Sequence, residues 1–258
     1  MGVRLRAVTR ELEAAHAAVD DAVAVLRSGR EQPLTRIGKA AKDFLTEVDL
    51  ASEAAVKRSL AASTPEIGFF GEEGGGADLH SGRVWVVDPL DGTINYATGS
   101  PLCGVMVGLL SDGVPVLGVI DLPFLGVRVT SGAVADVASL DEGIVAVGDA
   151  FHRGGPRMDA FLDLGSEIHR RALRFRCVGA ASVLWAWLAS GVIQGVFLAH
   201  NNPYDVVAGH AVARAAGAIV TDYAGAPLTL DSTGAMAAVP GIHGELVGLA
   251  RDLAAAAT

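Results

Sequence analysis

Aromatic residues are scarce in this chain, 5% of 258 positions, which argues against an aromatic-rich binding surface and for close-packed helices and sheets. Cysteine is scarcer still: Cys103 and Cys177 stand far apart in apolar settings, and there is no CxxC pair. Neither a zinc knuckle nor a redox motif is available, and two buried thiols in a reducing cytoplasm is the expectation. No apolar run is long enough to span a bilayer. The first residues alternate charge (Arg4, Arg6, Glu11, Glu13, Asp20) with small apolar side chains, and lack the uninterrupted apolar stretch of a signal peptide. A soluble, cytoplasmic protein with no membrane partner is expected. Positive charge is in deficit, 20 bases against 29 acids for a net charge of −9, so nucleic acid is an unfavourable partner too. The absence of a GxxxxGKS-type loop argues against ATP-dependent transfer. Low-complexity linkers and internal repeats are also missing.

What is present is apolar bulk: hydrophobic residues make up 51% of the chain, enough for a sizeable core. Apolar positions at helical spacing (Val8, Leu12, Ala15, Val19, Val23, Leu26) predict a helix over residues 5–28, with Gly29 as its stop. A second helix is expected over 47–62, ended near Ser63-Thr64-Pro65. Short apolar runs at 67–70, 84–88, 102–110, 114–120 and 127–130 read as an antiparallel sheet, with Gly113 and Gly126 as punctuation. After about residue 143 the rhythm changes. Strands are expected at 144–147, 174–177, 193–198 and 218–221, interleaved with helices at 156–171, 180–190, 205–216 and 242–254. That alternation belongs to an α/β unit with helices on both faces of its sheet. The chain therefore divides into an N-terminal α+β half, 1–142, and a C-terminal α/β half, 143–258, packed as one rigid unit.

The most informative stretch is Trp85-Val-Val-Asp-Pro-Leu-Asp-Gly-Thr-Ile-Asn-Tyr96. An apolar strand runs into Asp88, and Pro89 ends the ladder because it has no N–H to donate. Asp91 follows three positions later, before Gly92 and Thr93 open a short helix. Two carboxylates at a strand end can converge on one cation, and the Gly92 and Thr93 amides would face an anion. The same residues also read as an Asp-rich turn whose side chains cap a helix. Glu72 and Glu73 sit between Ile67-Gly-Phe-Phe70 and Gly74-Gly-Gly76, either at the sheet edge that carries Asp88 or in a solvated acidic loop. Glu72 is the better ligand, with Glu73 left to hydrogen bonding. Asp43 and Asp49 belong to Lys39-Ala-Ala-Lys-Asp-Phe-Leu-Thr-Glu-Val-Asp49, where Thr46 and Asp49 bracket a helix start. Asp205, in Asn201-Asn-Pro-Tyr-Asp-Val-Val-Ala-Gly-His210, opens another helix. For both, N-capping competes with a role in a site. His200 and His210 read as exposed or helix-face histidines, since imidazole is a softer ligand than a cation held by carboxylates prefers. Trp185 and Trp187, two apart on a helix, read as packing on different faces.

Together these blocks resemble the inositol monophosphatase family, a lithium-sensitive, metal-dependent phosphatase family. The similarity rests on Asp43–Asp49 with Glu53, Gly71-Glu-Glu73, Asp88-Pro-Leu-Asp-Gly-Thr93, and Tyr204-Asp-Val-Val-Ala-Gly209 with Ala215-Ala-Gly217, in the family's order. The resemblance implies hydrolysis of a small phosphorylated metabolite with two to three Mg²⁺ ions per site. Glu72, Asp88 and the backbone carbonyl of Leu90 would hold the first ion, and Asp88, Asp91 and Asp205 the second. Glu72 with waters would hold a weaker third. Thr93 and Asp49 would position and help deprotonate the attacking water, with Glu72 counted among the catalytic groups. Gly92, Thr93, Gly179, Ala180, Ala181, Leu198, Asp205 and Lys39 are the substrate-binding positions. A homodimer is also implied. An oxygen-only ligand set suits Mg²⁺, and bound cations would reconcile a phosphate substrate with an acidic surface.

This chain departs from the family pattern in three places. Tyr204 stands where the family usually has Trp. The segment from Val127 to Gly143 is shorter than the usual hairpin. Leu198 falls seven residues before Asp205, where inositol-selective members carry a Glu that contacts substrate hydroxyls, so modest selectivity is expected. The reading that results is an α+β fold, a layered αβαβα sandwich, that hydrolyses a phosphate monoester. Inositol 1-phosphate leads the substrates; histidinol phosphate, fructose 1,6-bisphosphate, adenosine 3′,5′-bisphosphate and NADP are those of related branches. The rival of another class is a non-catalytic, metal-stabilised dimeric scaffold, which would not need the Thr93 and Asp49 pair.

Overall fold

The computed structural model describes residues 2–40, 43–148 and 156–256, with the side chains of residues 2–9, 39, 40, 43, 156–158 and 252–256 outside the described part. It begins with α1 (Gly2–Arg30), a hairpin of β1 (Arg36–Ala40) and β2 (Asp43–Thr46), and α2 (Glu47–Ser63). Next come β3 (Gly68–Gly71), β4 (Gly75–Gly76), β5 (Arg83–Asp91), the short α3 (Thr93–Ala97), β6 (Gly104–Ser111), β7 (Val114–Leu122) and β8 (Val127–Val129). The remainder is β9 (Ile144–Val147), α4 (Pro156–Arg171), β10 (Arg174–Cys177), α5 (Ala181–Ala189), β11 (Gly195–Leu198), α6 (Pro203–Ala215), β12 (Ile219–Thr221), β13 (Ala235–Ala238) and α7 (Pro240–Ala256).

Six strands form one sheet in the order β4-β3-β5-β6-β7-β8, and five form another in the order β10-β9-β11-β13-β12. The first is antiparallel except where β3 runs parallel to β5, a pairing the run of short strands did not foretell. In the second, β9, β10 and β11 are parallel, and β13 lies antiparallel between β11 and β12. β13 is an Ala-Met-Ala-Ala stretch that was not read as a strand, because it has no β-branched or aromatic residue. It is fully buried between two partners, where small side chains fit and propensity yields to packing.

Strand β6 shows how the layers assemble. Val105, Val107 and Leu109 face the core made by α1 and α2, while Met106, one residue out of step, joins the core on the other side. That second core holds Trp185 of α5, Val212 of α6 and Val145, Phe197 and Ala237 of the five-stranded sheet. Helices α4 and α7 cover the far side of that sheet, so the order is the expected αβαβα. Two cross-strand glycines set the seat of α6. Gly108 pairs with Gly118, and a Cβ on Gly118 would stand 2.2 Å from the carbonyl oxygen of Ala208. The helix backbone rests directly on the sheet there, which any side chain would prevent. No helix among the described residues is long and apolar enough to cross a membrane.

Several side chains lie where sequence reading did not put them. Cys103 is buried, and burial pushes its thiol up to about 12, but Cys177 is exposed on edge strand β10. His210 is buried rather than surface-facing, and burial, followed by the Arg214 charge, lowers its imidazole to about 4. Its folded value is depressed, so the stability that neutral His210 contributes is present above about 6.5 and is lost as pH falls toward 4. The expected loss from this residue between pH 7 and pH 5 is about 2 kcal/mol, read by urea melts. His210→Gln is expected to remove that part of the pH dependence. An unchanged difference between the two pH values in the variant would assign it to other groups.

Candidate active site

In a regular strand, residues three apart point to opposite faces. Asp88 and Asp91 escape that rule because β5 is irregular between them: Asp88 pairs with Met106, but Asp91 pairs with Gly104. Three steps on β5 match two on β6, so one extra residue is accommodated and the alternation shifts. Pro89 therefore does not end the strand; it lies in the bulge, where a missing N–H costs nothing. Ser52 of α2 donates its hydroxyl to the Pro89 carbonyl at 2.8 Å and pins the bulge to the first helical layer.

Asp205 arrives from the other side, on α6. It is the third residue of that helix rather than its cap, since Asn202 holds the cap position. The Asn202 amide donates to Asp205 Oδ2 at 2.8 Å, and His200 Nδ1 stands 3.4 Å from the same oxygen. Trp185, fully buried, donates its indole N–H to the Asp205 carbonyl at 2.9 Å. It also occupies the space above Gly209 on the same helix, so its packing role fixes where Asp205 sits.

Asp88, Asp91 and Asp205 each offer a carboxylate oxygen, and these lie within 4.8 Å of one another, with all three residues buried. Burial first, then the charges of Glu72, Asp91 and Asp205, push the Asp88 carboxyl well above its ordinary range. Asp91 rises to about 6, mainly by burial and then by Asp205, against hydrogen bonds from Ser182 and Ala181 that favour its charged form. Glu72 is not one of the three; it is half-buried beyond the end of β3, where its amide donates to the Val87 carbonyl at 3.1 Å. Glu53 reaches up from α2 to accept the Glu73 amide at 2.9 Å, which holds the acidic turn in place.

Asp49 caps a helix and also contacts Thr93. Its Oδ2 accepts from the amide and hydroxyl of Thr46, at 2.7 and 2.6 Å, and closes a capping box at the start of α2. Its Oδ1 accepts the Thr93 hydroxyl at 2.8 Å. Thr93 also lies 3.2 Å from the Leu90 carbonyl, so cap, bulge and short helix are joined through one threonine.

The positions read as substrate-binding divide. Gly92 abuts Ala180: a Cβ on the glycine would lie 3.0 Å from that of Ala180. Asn95 ties the same segments together, donating its side-chain amide to the carbonyls of Leu102 at 2.7 Å and Val178 at 3.0 Å, next to Gly179. The Ala181 amide is engaged by Asp91 Oδ1 at 3.1 Å. Leu198 is 2% exposed and belongs to the apolar core, with Gly148 packed against it, so its side chain gives no surface to a substrate. The strand simply ends in a buried leucine there. Lys39 lies on β1, but its side chain and that of Asp43 are outside the described residues. Residues that sequence reasoning missed are Ser52, Ser182, Asn95 and Asn202. Asn95 and Asn202 lay within the Trp85–Tyr96 and Asn201–His210 stretches singled out in the sequence, whereas Ser52 and Ser182 had no such signal.

Three buried, mutually repelling carboxylates with oxygen donors only fit a hard divalent cation, which would relieve both the repulsion and the lack of solvation. Comparison with known proteins agrees with this chemistry. The sequence profile described as the inositol monophosphatase family matches residues 8–255. The inositol-1-monophosphatase ImpA of Mycolicibacterium smegmatis is 36% identical over 93% of this chain and 92% of its own. A histidinol-phosphatase of Mycobacterium tuberculosis is 31% identical over 72% of this chain and 76% of its own. The solved structure of a Thermotoga maritima IMPase superposes with a TM-score of 0.86 at 22% identity, covering 96% of this chain and 99% of that one, which shows the shared fold. With a profile match over nearly its whole length and a relative this similar along both chains, the protein is a phosphatase that belongs to the inositol monophosphatase family.

Proposed function

We propose that the protein hydrolyses the phosphate monoester of a small polyol or sugar, inositol 1-phosphate first among them, with Mg²⁺ as its metal. The observation that carries the reading is the convergence of Asp88, Asp91 and Asp205 from two elements beside the Thr93–Asp49 hydrogen bond. Glu72, Asp88 and the Leu90 carbonyl would hold one ion, and Asp88, Asp91 and Asp205 another. Bound there, Mg²⁺ supplies charge neutralisation for the phosphoryl group and lowers the pKa of water. The protein's own part is orientation. Thr93 donates a hydrogen bond to Asp49 while keeping its proton, and so turns an oxygen lone pair toward an incoming water. Asp49 is held rigid by Thr46 and receives the proton that water loses through Thr93. The half-buried Gly179, beside Asn95, offers backbone to the substrate.

The inositol-1-monophosphatase relative supports inositol 1-phosphate, and the histidinol-phosphatase relative keeps a second substrate class open. With Leu198 in the core, selectivity among these substrates is set by other residues. Phosphate release from inositol 1-phosphate, histidinol phosphate and fructose 1,6-bisphosphate, with Mg²⁺ and with chelator, tests the reading. Release from inositol 1-phosphate that needs Mg²⁺ is expected; equal activity after exhaustive chelation would falsify the metal assignment. We also read the protein as a cytoplasmic homodimer inhibited by Li⁺, with halves meeting near residue 143; gel filtration and a Li⁺ titration test the dimer and the inhibition.

Metal should also stabilise the fold, because it binds only where the carboxylates are assembled. At Mg²⁺ one hundred times its dissociation constant the gain is about 2.7 kcal/mol, or roughly 5–10 °C in melting temperature for a chain of this size. Scanning calorimetry with Mg²⁺ and with chelator reads it, and identical melting temperatures would argue against a site assembled by folding.

A further inference from the structure

The carboxylate of Asp91 is gripped from α5 in an unusual way. Ala181 N–H donates to Oδ1 at 3.1 Å and Ser182 N–H to Oδ2 at 2.6 Å. The Ser182 hydroxyl donates to Oδ2 as well. Any residue but proline could supply the two amides, so the hydroxyl is the one donor that requires this side chain. Its place is built in. Gly104 is the residue paired with Asp91 across the sheet, and a Cβ on it would stand 2.7 Å from Ser182 Oγ. The sheet thus leaves out a side chain opposite Asp91, and the fully buried hydroxyl of Ser182 takes up that space.

The lone-pair count gives the arrangement its consequence. A carboxylate has about four acceptor directions. Two on Oδ2 and one on Oδ1 are taken by α5, which leaves one, on Oδ1, for a cation shared with Asp88 and Asp205. Without the hydroxyl, Oδ2 keeps a single partner and the carboxylate is held by one amide on each oxygen, less tightly than before. We propose that Ser182 is a positioning residue for the metal centre, orienting Asp91 through its side-chain hydroxyl; the inference rests on the reading of Asp91 as a metal ligand. Hydrogen-bond partners of metal ligands are typically worth 10- to 100-fold in metal affinity.

The test is calorimetric titration of Mg²⁺ alone into the metal-free, full-length protein, with no substrate present. Ser182→Ala is expected to raise the dissociation constant about 10- to 100-fold. Ser182→Cys, which keeps a side chain of similar shape but a weak donor, should show the same direction and guards against a packing defect in the alanine variant. Asp91→Asn serves as the reference for losing the ligand itself. If Asp91→Asn abolishes binding while both Ser182 variants stay within about twofold of wild type, Ser182 has no positioning role and the ligand assignment stands. If Asp91→Asn also binds Mg²⁺ like wild type, the assignment of Asp91 falls and the inference with it. A loss in Ser182→Ala that Ser182→Cys fully restores would place the effect in packing and overturn the role of the hydroxyl.

Discussion

Asp205→Asn is expected to lower kcat by roughly two to three orders of magnitude while raising the melting temperature of the metal-free protein. The two effects have one cause. Asp205 contributes negative charge to a buried cluster, and that charge is among the forces that push Asp88 and Asp91 above their ordinary range. At about 5 Å and an effective dielectric constant near 20, one like-charge pair costs about 3 kcal/mol, less where a proton is shared. Removing it should stabilise the fold by about 1–3 kcal/mol, or roughly 3–9 °C in chelator. The amide keeps the shape of the side chain and an oxygen for Asn202. Turnover with Mg²⁺ and calorimetry in chelator read the two quantities separately. Near-normal turnover would remove Asp205 from the ligand set. A lower melting temperature would mean that its place in the first turn of α6 outweighs the repulsion.

The second large effect is expected at Thr93. Thr93→Val keeps the volume and removes the hydroxyl, so kcat should fall by roughly 10²-fold or more, the usual scale for a lost proton-transfer partner. Mg²⁺ binding at Asp88, Asp91 and Asp205 should move little, because Thr93 Oγ1 bonds to Asp49 and the Leu90 carbonyl rather than to these three carboxylates. The variant also leaves Asp49 Oδ1 without a donor in a fully buried place, which should cost about 1–3 kcal/mol of stability. Thr93→Ser restores the hydroxyl and should recover most of both. If Thr93→Val loses stability but keeps kcat, the hydrogen bond only fastens α3 to α2, and the water must be oriented by another group.

Much of the architecture was legible before any coordinates. Strand 144–147, helix 156–171 and strand 174–177 fall where the alternation of apolar runs put them, because each signal is local and complete within one element. The first two helices follow from the same logic, and the three blocks around Glu72, Asp88–Asp91 and Asp205 stood out as acids at element ends. Asp49 was legible as a cap, and its second oxygen accepts from Thr93 across 44 positions.

The tertiary structure decided the rest, and the reasons are specific. The Ala-Met-Ala-Ala strand has little intrinsic preference for extension, and β1 and β2 are too short to stand out as strands, so their partners define them. Asp88 and Asp91 share a side because β6 supplies two residues against three, a register fact that no single segment contains. Leu198 looked like a replaced substrate contact, yet its direction depends on β9 and β13, its neighbours through β11, and the fold turns it into the core. Ser182 lies 91 positions from the carboxylate it holds, and Asn95 is 83 from the Val178 carbonyl to which it donates. Residue type and spacing determined which chemistry the chain carries. Hydrogen bonds between groups that meet only when two sheets and the helices between them are packed decided how that chemistry is aimed.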